Sequence, residues 1–370
     1  MERVKIGIVG CGCISGIYLQ NFHGMYKDLV EVVAVCDLIP QRADAAKAQY
    51  NIPFAYYTDE EIMANPDIEL IVNLTTPDQH KLVNVMALNA GKHAYCEKPL
   101  AVTRQDGEDQ VKLAKEKGLM LGGAPDTFLG GGIQTCRKLI DEGWIGTPVA
   151  VHAFMTCHGH ESWHPDPEFY YKKGAGPMFD MGPYYLTALT NLMGPVKSVS
   201  GSTRITFPTR TITSEKKYGQ IIEVEVPTHI VGIMNFESGA IGTIVTTFDV
   251  WESEQACIEL YGSEGSLRVP DPNTFGGPIQ LLRPGQKEWE NVPVVYGYQE
   301  NSRGLGVVDM CCAIRQGRKA RANSDQTFHV LDLMCAFHDA ADQKKTVELK
   351  SRFDRQPALP MGLMQGAEIR

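Results

Sequence analysis

The sequence predicts an α/β protein: a doubly wound parallel sheet at the N-terminal end, followed by a strand-rich α+β region. Three observations predict this. Short apolar strands alternate with helical patterns through the first third of the chain. A Gly-x-Gly turn joins the first strand to the first helix. From about Thr147 the alternation gives way to strand after strand. At 370 residues the chain is too long for one compact core, and it divides into two expected domains, 1–124 and 125–370.

Val4–Val9 is a short buried-strand pattern, and Gly10-Cys11-Gly12-Cys13-Ile14-Ser15-Gly16 follows at once. Ile14, Tyr18, Phe22 and Met25 then recur at helical spacing. Val32–Asp37 is the second strand and ends on an acid; Leu70–Thr75 is another. A helix over Val83–Ala90 closes on Gly91. His93–Glu97 is a further strand, followed by a helix through Gln110, Leu113 and Ala114, and then by Leu119-Met120-Leu121.

The glycine loop has a mechanical reading. Gly10 permits the tight turn, and Gly12 lets backbone approach a pyrophosphate at the helix N-terminus. Ser15 stands where a third glycine is common and is small enough for close helix–strand packing, with Cys13 and Ile14 between. Asp37, about 20 residues on, is placed to accept hydrogen bonds from an adenosine ribose. An acid there favours NAD over NADP, whose 2′-phosphate would meet a negative charge. A methyltransferase would share both features, so the motifs that follow must separate the two.

Composition excludes several classes. The formal charge of −9 argues against a nucleic-acid partner. No apolar run approaches a membrane span. The ten cysteines lack the spacing of a disulfide framework or a metal knuckle. The N-terminus runs straight into a strand, leaving no room for a signal peptide, so a cytoplasmic protein is expected.

Two segments look chemical. Cys96-Glu97-Lys98-Pro99 lies at the C-terminal end of an expected strand, the edge where open α/β sheets bind ligands. A lysine there can donate to a substrate oxygen; the plainer alternative is a surface lysine paired with Glu97. In Gly174–Leu186 a glycine-rich approach delivers Asp180 to an expected helix start, with Tyr184 one turn on. The plainer alternatives are a helix cap for Asp180 and a core ring for Tyr184.

The glycine loop, Thr76-Pro77-Asp78-Gln79-His80, Glu97-Lys98-Pro99 and the Asp180 segment, in this order, resemble the Gfo/Idh/MocA family of dehydrogenases. A methyltransferase has no use for the Glu-Lys-Pro constellation. The resemblance covers nearly the whole chain. It implies an N-terminal Rossmann domain and an α+β C-terminal domain with a large, mostly antiparallel, open-faced sheet for substrate binding and oligomerisation. It further implies that Lys98 is catalytic, that Asp180 precedes the active-site helix, and that Thr75, Thr76, Pro77, His80 and Glu97 lie near the cofactor. Many members read Asp-x-Gly-x-His, whereas this chain has Tyr184 at the histidine position. A Lys98–Tyr184 acid–base pair is therefore expected, the lysine's charge favouring the phenolate and Asp180 orienting substrate or lysine.

In the second region, Val149–Met155, Thr228–Phe236 with Ala240–Val245, and Ile258–Gly262 with Gly265–Val269 read as strands and hairpins. Several carry apolar residues on both faces, as a sheet covered by helices and by another subunit would; a homodimer or homotetramer is expected. A helix through Val330, Leu331, Met334 and Phe337 is expected to pack on the sheet. His160, Trp163 and His164 precede the glycine-rich approach and are expected to contact substrate; no cysteine or carboxylate completes a metal-ligand spacing with them. The expected function is hydride transfer between NAD and a carbinol or ketone carbon of a sugar, polyol or glycoside. The alternatives are a redox-neutral, NAD-dependent glycoside hydrolase or lyase and, behind it, a non-catalytic dinucleotide-binding regulator.

Overall fold

The computed structural model describes residues 1–370. Strands β1 (Val4–Val9), β2 (Val30–Cys36), β3 (Phe54–Tyr56), β4 (Leu70–Asn73), β5 (His93–Cys96) and β6 (Leu121–Gly123) form a parallel sheet in the order β3-β2-β1-β4-β5-β6. Helices α1 (Ser15–His23), α2 (Pro40–Tyr50), α3 (Asp59–Ala64), α4 (His80–Asn89) and α5 (Arg104–Lys117) make the connections. All four residues of β4 and five of six in β1 are buried, which is why these strands read as unbroken apolar runs. The strand order reverses between β1 and β4. The crevice at their carboxyl ends, the ligand site of such sheets, is bounded by the loops after β1, β2, β4 and β5.

The second region begins with α6 (Gly131–Asp141), β7 (Pro148–Thr156), a one-turn helix α7 (Gly176–Asp180) and α8 (Gly182–Met193). Strands β8 (Val196–Arg204), β9 (Thr209–Thr211), β10 (Ile221–Glu223), β11 (His229–Phe236), β12 (Ile241–Thr247), β13 (Ile258–Gly262), β14 (Gly265–Val269), β15 (Ile279–Leu282) and β16 (Glu290–Val292) follow. The chain ends with α9 (Leu305–Gln316), α10 (Ser324–Gln343) and β17 (Val347–Glu348). Nine of these strands make one sheet, β16-β15-β14-β13-β7-β12-β11-β8-β17, in which only β12 and β7 pair in parallel.

One face of this sheet is packed under helices: Val151, Ala153, Ile230, Met234, Ile244 and Leu260 are fully buried. The alternate residues point the other way, and Val231, Ile233 and Ile241 are exposed there. Helix α10 lies on β8 with Phe337 fully buried, and it also touches the first domain. At that contact a Cβ on Gly122 would sit 2.2 Å from the Ala322 carbonyl, so only glycine allows the approach. Arg104 of α5 reaches across to Asp332 at 2.6 Å and Asp339 at 2.7 Å.

The apolar periodicity does not mark α2, β3 or α3. Pro40 in the first turn of α2 and the Thr58–Glu61 capping box of α3 were the available signals; β3 is three residues long, at the sheet edge, and half exposed. All ten cysteines are free, with Cys311 and Cys312 buried in α9. No helix is long and apolar enough to cross a membrane.

Candidate active site

The loop after β1 begins at Gly10, whose φ of +96° is glycine territory. The Cys11 backbone N–H donates to Asp37 Oδ2 at 2.8 Å, and Ile39 N–H donates to Oδ1 at 2.8 Å. Asp37 thus ties the glycine loop to the end of β2 and keeps further lone pairs free. Ser15 donates back to the Gly12 carbonyl through both Oγ, at 2.7 Å, and its N–H, at 3.2 Å, and no side chain caps α1, so the N–H groups after Ser15 in its first turn remain unclaimed. A Cβ placed on Gly12 or Gly16 meets nothing within 4 Å. An open glycine floor, uncapped N–H groups and an acid at the next strand end fit a dinucleotide. Cys13 is exposed and Ile14 half-buried on the same loop.

On the facing loop, Thr75 N–H and Oγ1 both donate to Asn73 Oδ1, at 3.2 and 2.6 Å, while Thr76 is exposed and Pro77 half-buried. His80 is fully buried. Its Nδ1 lies 2.6 Å from the Pro99 carbonyl and its Nε2 3.1 Å from that of Thr75. Burial pushes its pKa down, so the ring is neutral. Both nitrogens are turned toward backbone, so His80 braces the Thr75 and Lys98 loops against each other. Glu97 is likewise internal: its Oε1 accepts from Tyr18 OH at 2.7 Å, and its Oε2 accepts from the Lys98 backbone N–H at 2.9 Å.

The plain pairing of the Lys98 ammonium with Glu97 is therefore not what forms. Lys98 Nζ donates to the Asp180 carbonyl at 2.7 Å and to Asp180 Oδ1 at 2.9 Å. Two of its three protons are placed, and one is left for another acceptor. Burial alone would lower the lysine's pKa, but the Asp180 carboxylate and the other acids around it outweigh this and push it above the ordinary lysine value. Asp180 moves the opposite way, down to about 2: burial would raise it, and Lys98 and His160 overcome that. At neutral pH the pair is ionised.

Asp180 is not a helix cap, which corrects the expectation of a helix start. It is the last residue of α7, and α8 begins at Gly182 without any side-chain cap. Its second oxygen, Oδ2, accepts from His160 Nε2 at 3.1 Å. His160 comes from the segment after β7 and sits in an aromatic nest, with Tyr170 at 4.1 Å, Phe248 at 4.7 Å and Trp163 at 5.3 Å between ring centroids. His164 packs edge-on against Trp163 and accepts from the Asp166 backbone N–H through Nδ1. Trp163 is 61% exposed, so this cluster opens to solvent. No group of three His, Cys, Asp or Glu side chains in the fold is arranged to hold a metal ion.

Tyr184 is 8% exposed, and Lys98 Nζ stands 5.4 Å from its ring centroid. The expected lowering of its pKa does not result. Burial outweighs the opposing pull of Lys98, and the phenol is pushed above its usual value. Arg303, which sequence reasoning missed because it lies in no motif, sits beside the hydroxyl. Tyr184→Phe is accordingly expected to retain turnover within about tenfold; a loss of 10²–10⁴-fold, as removal of a general acid–base gives, would restore the acid–base role.

Residues 4–123 match the NAD-binding Rossmann fold of an oxidoreductase family, and residues 133–268 match the GFO/IDH/MocA C-terminal domain. An inositol 2-dehydrogenase of Salmonella paratyphi B is 36% identical over 152 residues, 40% of this chain and 45% of that protein, so the chain spans less than half of that relative. A scyllo-inositol 2-dehydrogenase (NADP(+)) of Bacillus subtilis is 21% identical over 95% of this chain and 97% of its own. Among solved structures, levoglucosan dehydrogenase in complex with NADH superposes with a TM-score of 0.82 at 19% identity, covering 95% of this chain and all of that one. At that identity the likeness speaks for the fold.

Proposed function

Because the chain belongs to the Gfo/Idh/MocA family of NAD-binding oxidoreductases, we propose that it interconverts a carbinol and a ketone on a neutral sugar, polyol or glycoside, with NAD held on the Gly10–Ser15 loop. The observation that carries this reading is the chain Lys98–Asp180–His160, which begins beside the crevice and reaches the aromatic cluster. Bound nicotinamide supplies the acceptor or donor of a hydride. Gly10, Gly12, Cys13, Ile14 and Ser15 would hold the pyrophosphate side, Asp37 the adenosine ribose, and the Thr75–Pro77 loop the opposite wall. Asp37 favours NAD over NADP.

Lys98, as a cation with one free N–H, donates to the substrate oxygen and stabilises negative charge growing there. In the reducing direction it passes that proton to the oxygen. Asp180 stays ionised: its Oδ1 steadies Nζ and its Oδ2 holds His160, while Nζ regains its proton from solvent, which reaches the cluster at Trp163; oxidation runs the same moves backwards. His160 thus brings an imidazole to the Lys98–Asp180 pair, which position 184 does not supply in this chain. His160→Ala is expected to lower kcat about tenfold, because Asp180 Oδ2 loses the ring that orients it. A variant with the parental kcat would remove His160 from this chain of contacts and leave it a substrate contact alongside Trp163 and His164.

A panel of inositols, aldoses and aryl glycosides with NAD and NADP tests the activity, read by absorbance of the reduced nicotinamide and by released aglycone. Net NADH without aglycone is the expected result. Aglycone without net NADH would mean a redox-neutral glycosidase. NAD binding without either would mean a regulator.

A second copy of the chain is the proposed cover for the exposed side of the large sheet, where Val149, Val231, Ile233 and Ile241 stand clear of any helix. Ile233→Lys is expected to yield a smaller particle by light scattering, at unchanged secondary structure. The same mass as the parent would place the interface elsewhere.

A further inference from the structure

Tyr18 and Phe22 lie on the buried face of α1, with ring centroids 5.9 Å apart. Packing accounts for the Tyr18 ring, which is wholly enclosed, but a phenylalanine would fill the same space. A buried hydroxyl costs stability unless it finds a partner, and this one finds Glu97 Oε1, at 2.7 Å. Burial and the nearby Glu97 charge push the phenol well above its usual value, so Tyr18 keeps its proton and is the donor.

Glu97 is buried as well, and each of its oxygens has one donor. Oε1 accepts from Tyr18, and Oε2 accepts from the Lys98 backbone N–H at 2.9 Å. Lys98 follows the end of β5, where no ladder bond claims that N–H. Helix α1 therefore reaches the start of the Lys98 loop through two hydrogen bonds and a single side chain. Tyr26, just past α1, supplies a contrast. It is equally enclosed, but its hydroxyl donates at 2.7 Å to the Ser302 carbonyl, in the segment ahead of α9.

Resting on the activity proposed above, we infer that Tyr18 is a positioning residue for Lys98. Its hydroxyl fixes the Glu97 carboxylate, and the carboxylate fixes the backbone from which the lysine reaches Asp180. The helix that meets the pyrophosphate at its N-terminus thereby also sets where the ammonium stands. Removing the hydroxyl leaves Glu97 Oε1 buried without a donor, and the carboxylate must then turn to find another. A misplaced ammonium costs turnover more than binding, because its alignment matters most in the transition state.

Hydrogen exchange at the Lys98 amide, read by mass spectrometry with and without NAD, tests the tether in the absence of substrate. Tyr18→Phe is expected to exchange this amide about tenfold faster than the parent, as the loss of one hydrogen bond would give. Tyr26→Phe removes a matched buried hydroxyl and is expected to keep the parent rate at Lys98. On the best sugar of the panel, kcat is expected to fall about tenfold in Tyr18→Phe, with KM within about twofold. In Glu97→Ala, where the tether is already gone, adding Tyr18→Phe should lower kcat no further. The proposal is overturned if the Lys98 amide keeps its parent rate in Tyr18→Phe, or speeds up equally in Tyr26→Phe. It is also overturned if Tyr18→Phe slows turnover as much without Glu97 as with it. A parent that turns over no sugar would overturn the activity instead, and the exchange rates then decide the tether.

Discussion

Lys98→Met is expected to reduce turnover by about 10³-fold while leaving NAD binding within a few-fold of the parent. Methionine keeps much of the side-chain length and removes every N–H. The substrate oxygen then loses its donor, and Asp180 loses the partner that holds its pKa at about 2. An ionised carboxylate left in that setting is costly, so Asp180 should take up a proton at higher pH than before. The sign for the parent follows. A depressed acid stabilises the fold above its unfolded pKa, near 4, and that contribution is lost as the pH falls toward 2. In Lys98→Met, where the folded-state pKa moves up toward the unfolded value, this acid-side loss should shrink. Turnover within tenfold of the parent would remove Lys98 from the chemistry; nicotinamide fluorescence separates that result from a failure to bind cofactor.

Gly10 and Gly12, two residues apart, should behave in opposite ways. A Cβ on Gly10 would lie 2.7 Å from the Leu74 carbonyl oxygen and 2.9 Å from Thr75 N, at a φ of +96°. Backbone strain and overlap together cost about 3 kcal/mol, and neither neighbour is a side chain free to turn away. Gly10→Ala is expected to lower the thermal midpoint by several degrees even without cofactor. Gly12→Ala meets nothing within 4 Å and is expected to leave the cofactor-free midpoint unchanged. It should, however, abolish most of the stabilisation that NAD gives, because the added methyl occupies the space the pyrophosphate approaches. Equal midpoints for the two variants without NAD would overturn this account of the loop.

The contrast shows what a sequence carries. The βαβ pattern, the glycine loop, Asp37 and the lysine at the end of β5 were legible because neighbours in sequence build them. The Lys98–Asp180–His160 chain of hydrogen bonds was only half legible. Asp180 and Tyr184 share a local motif, but His160 reaches Asp180 from 20 residues upstream, across the end of β7, and no spacing rule connects them. Arg210, held by Glu161 and Asp249 from separate segments, left no trace in the pattern. The direction of the Tyr184 shift was misread for a related reason. The attraction of one lysine can be guessed from a motif, whereas the desolvation that outweighs it comes from everything packed around the ring.

His80 has a consequence of its own. A neutral imidazole carries one N–H, yet this ring faces two carbonyls. The shorter contact, 2.6 Å to Pro99, marks where the proton resides, which leaves Nε2 and the Thr75 oxygen as two lone pairs turned toward each other. The loop that carries Lys98 is thereby latched, and the Thr75 loop opposite is merely propped. One ring thus divides its grip unequally between the two walls of the crevice: a hydrogen bond on the Lys98 side, contact alone on the Thr75 side.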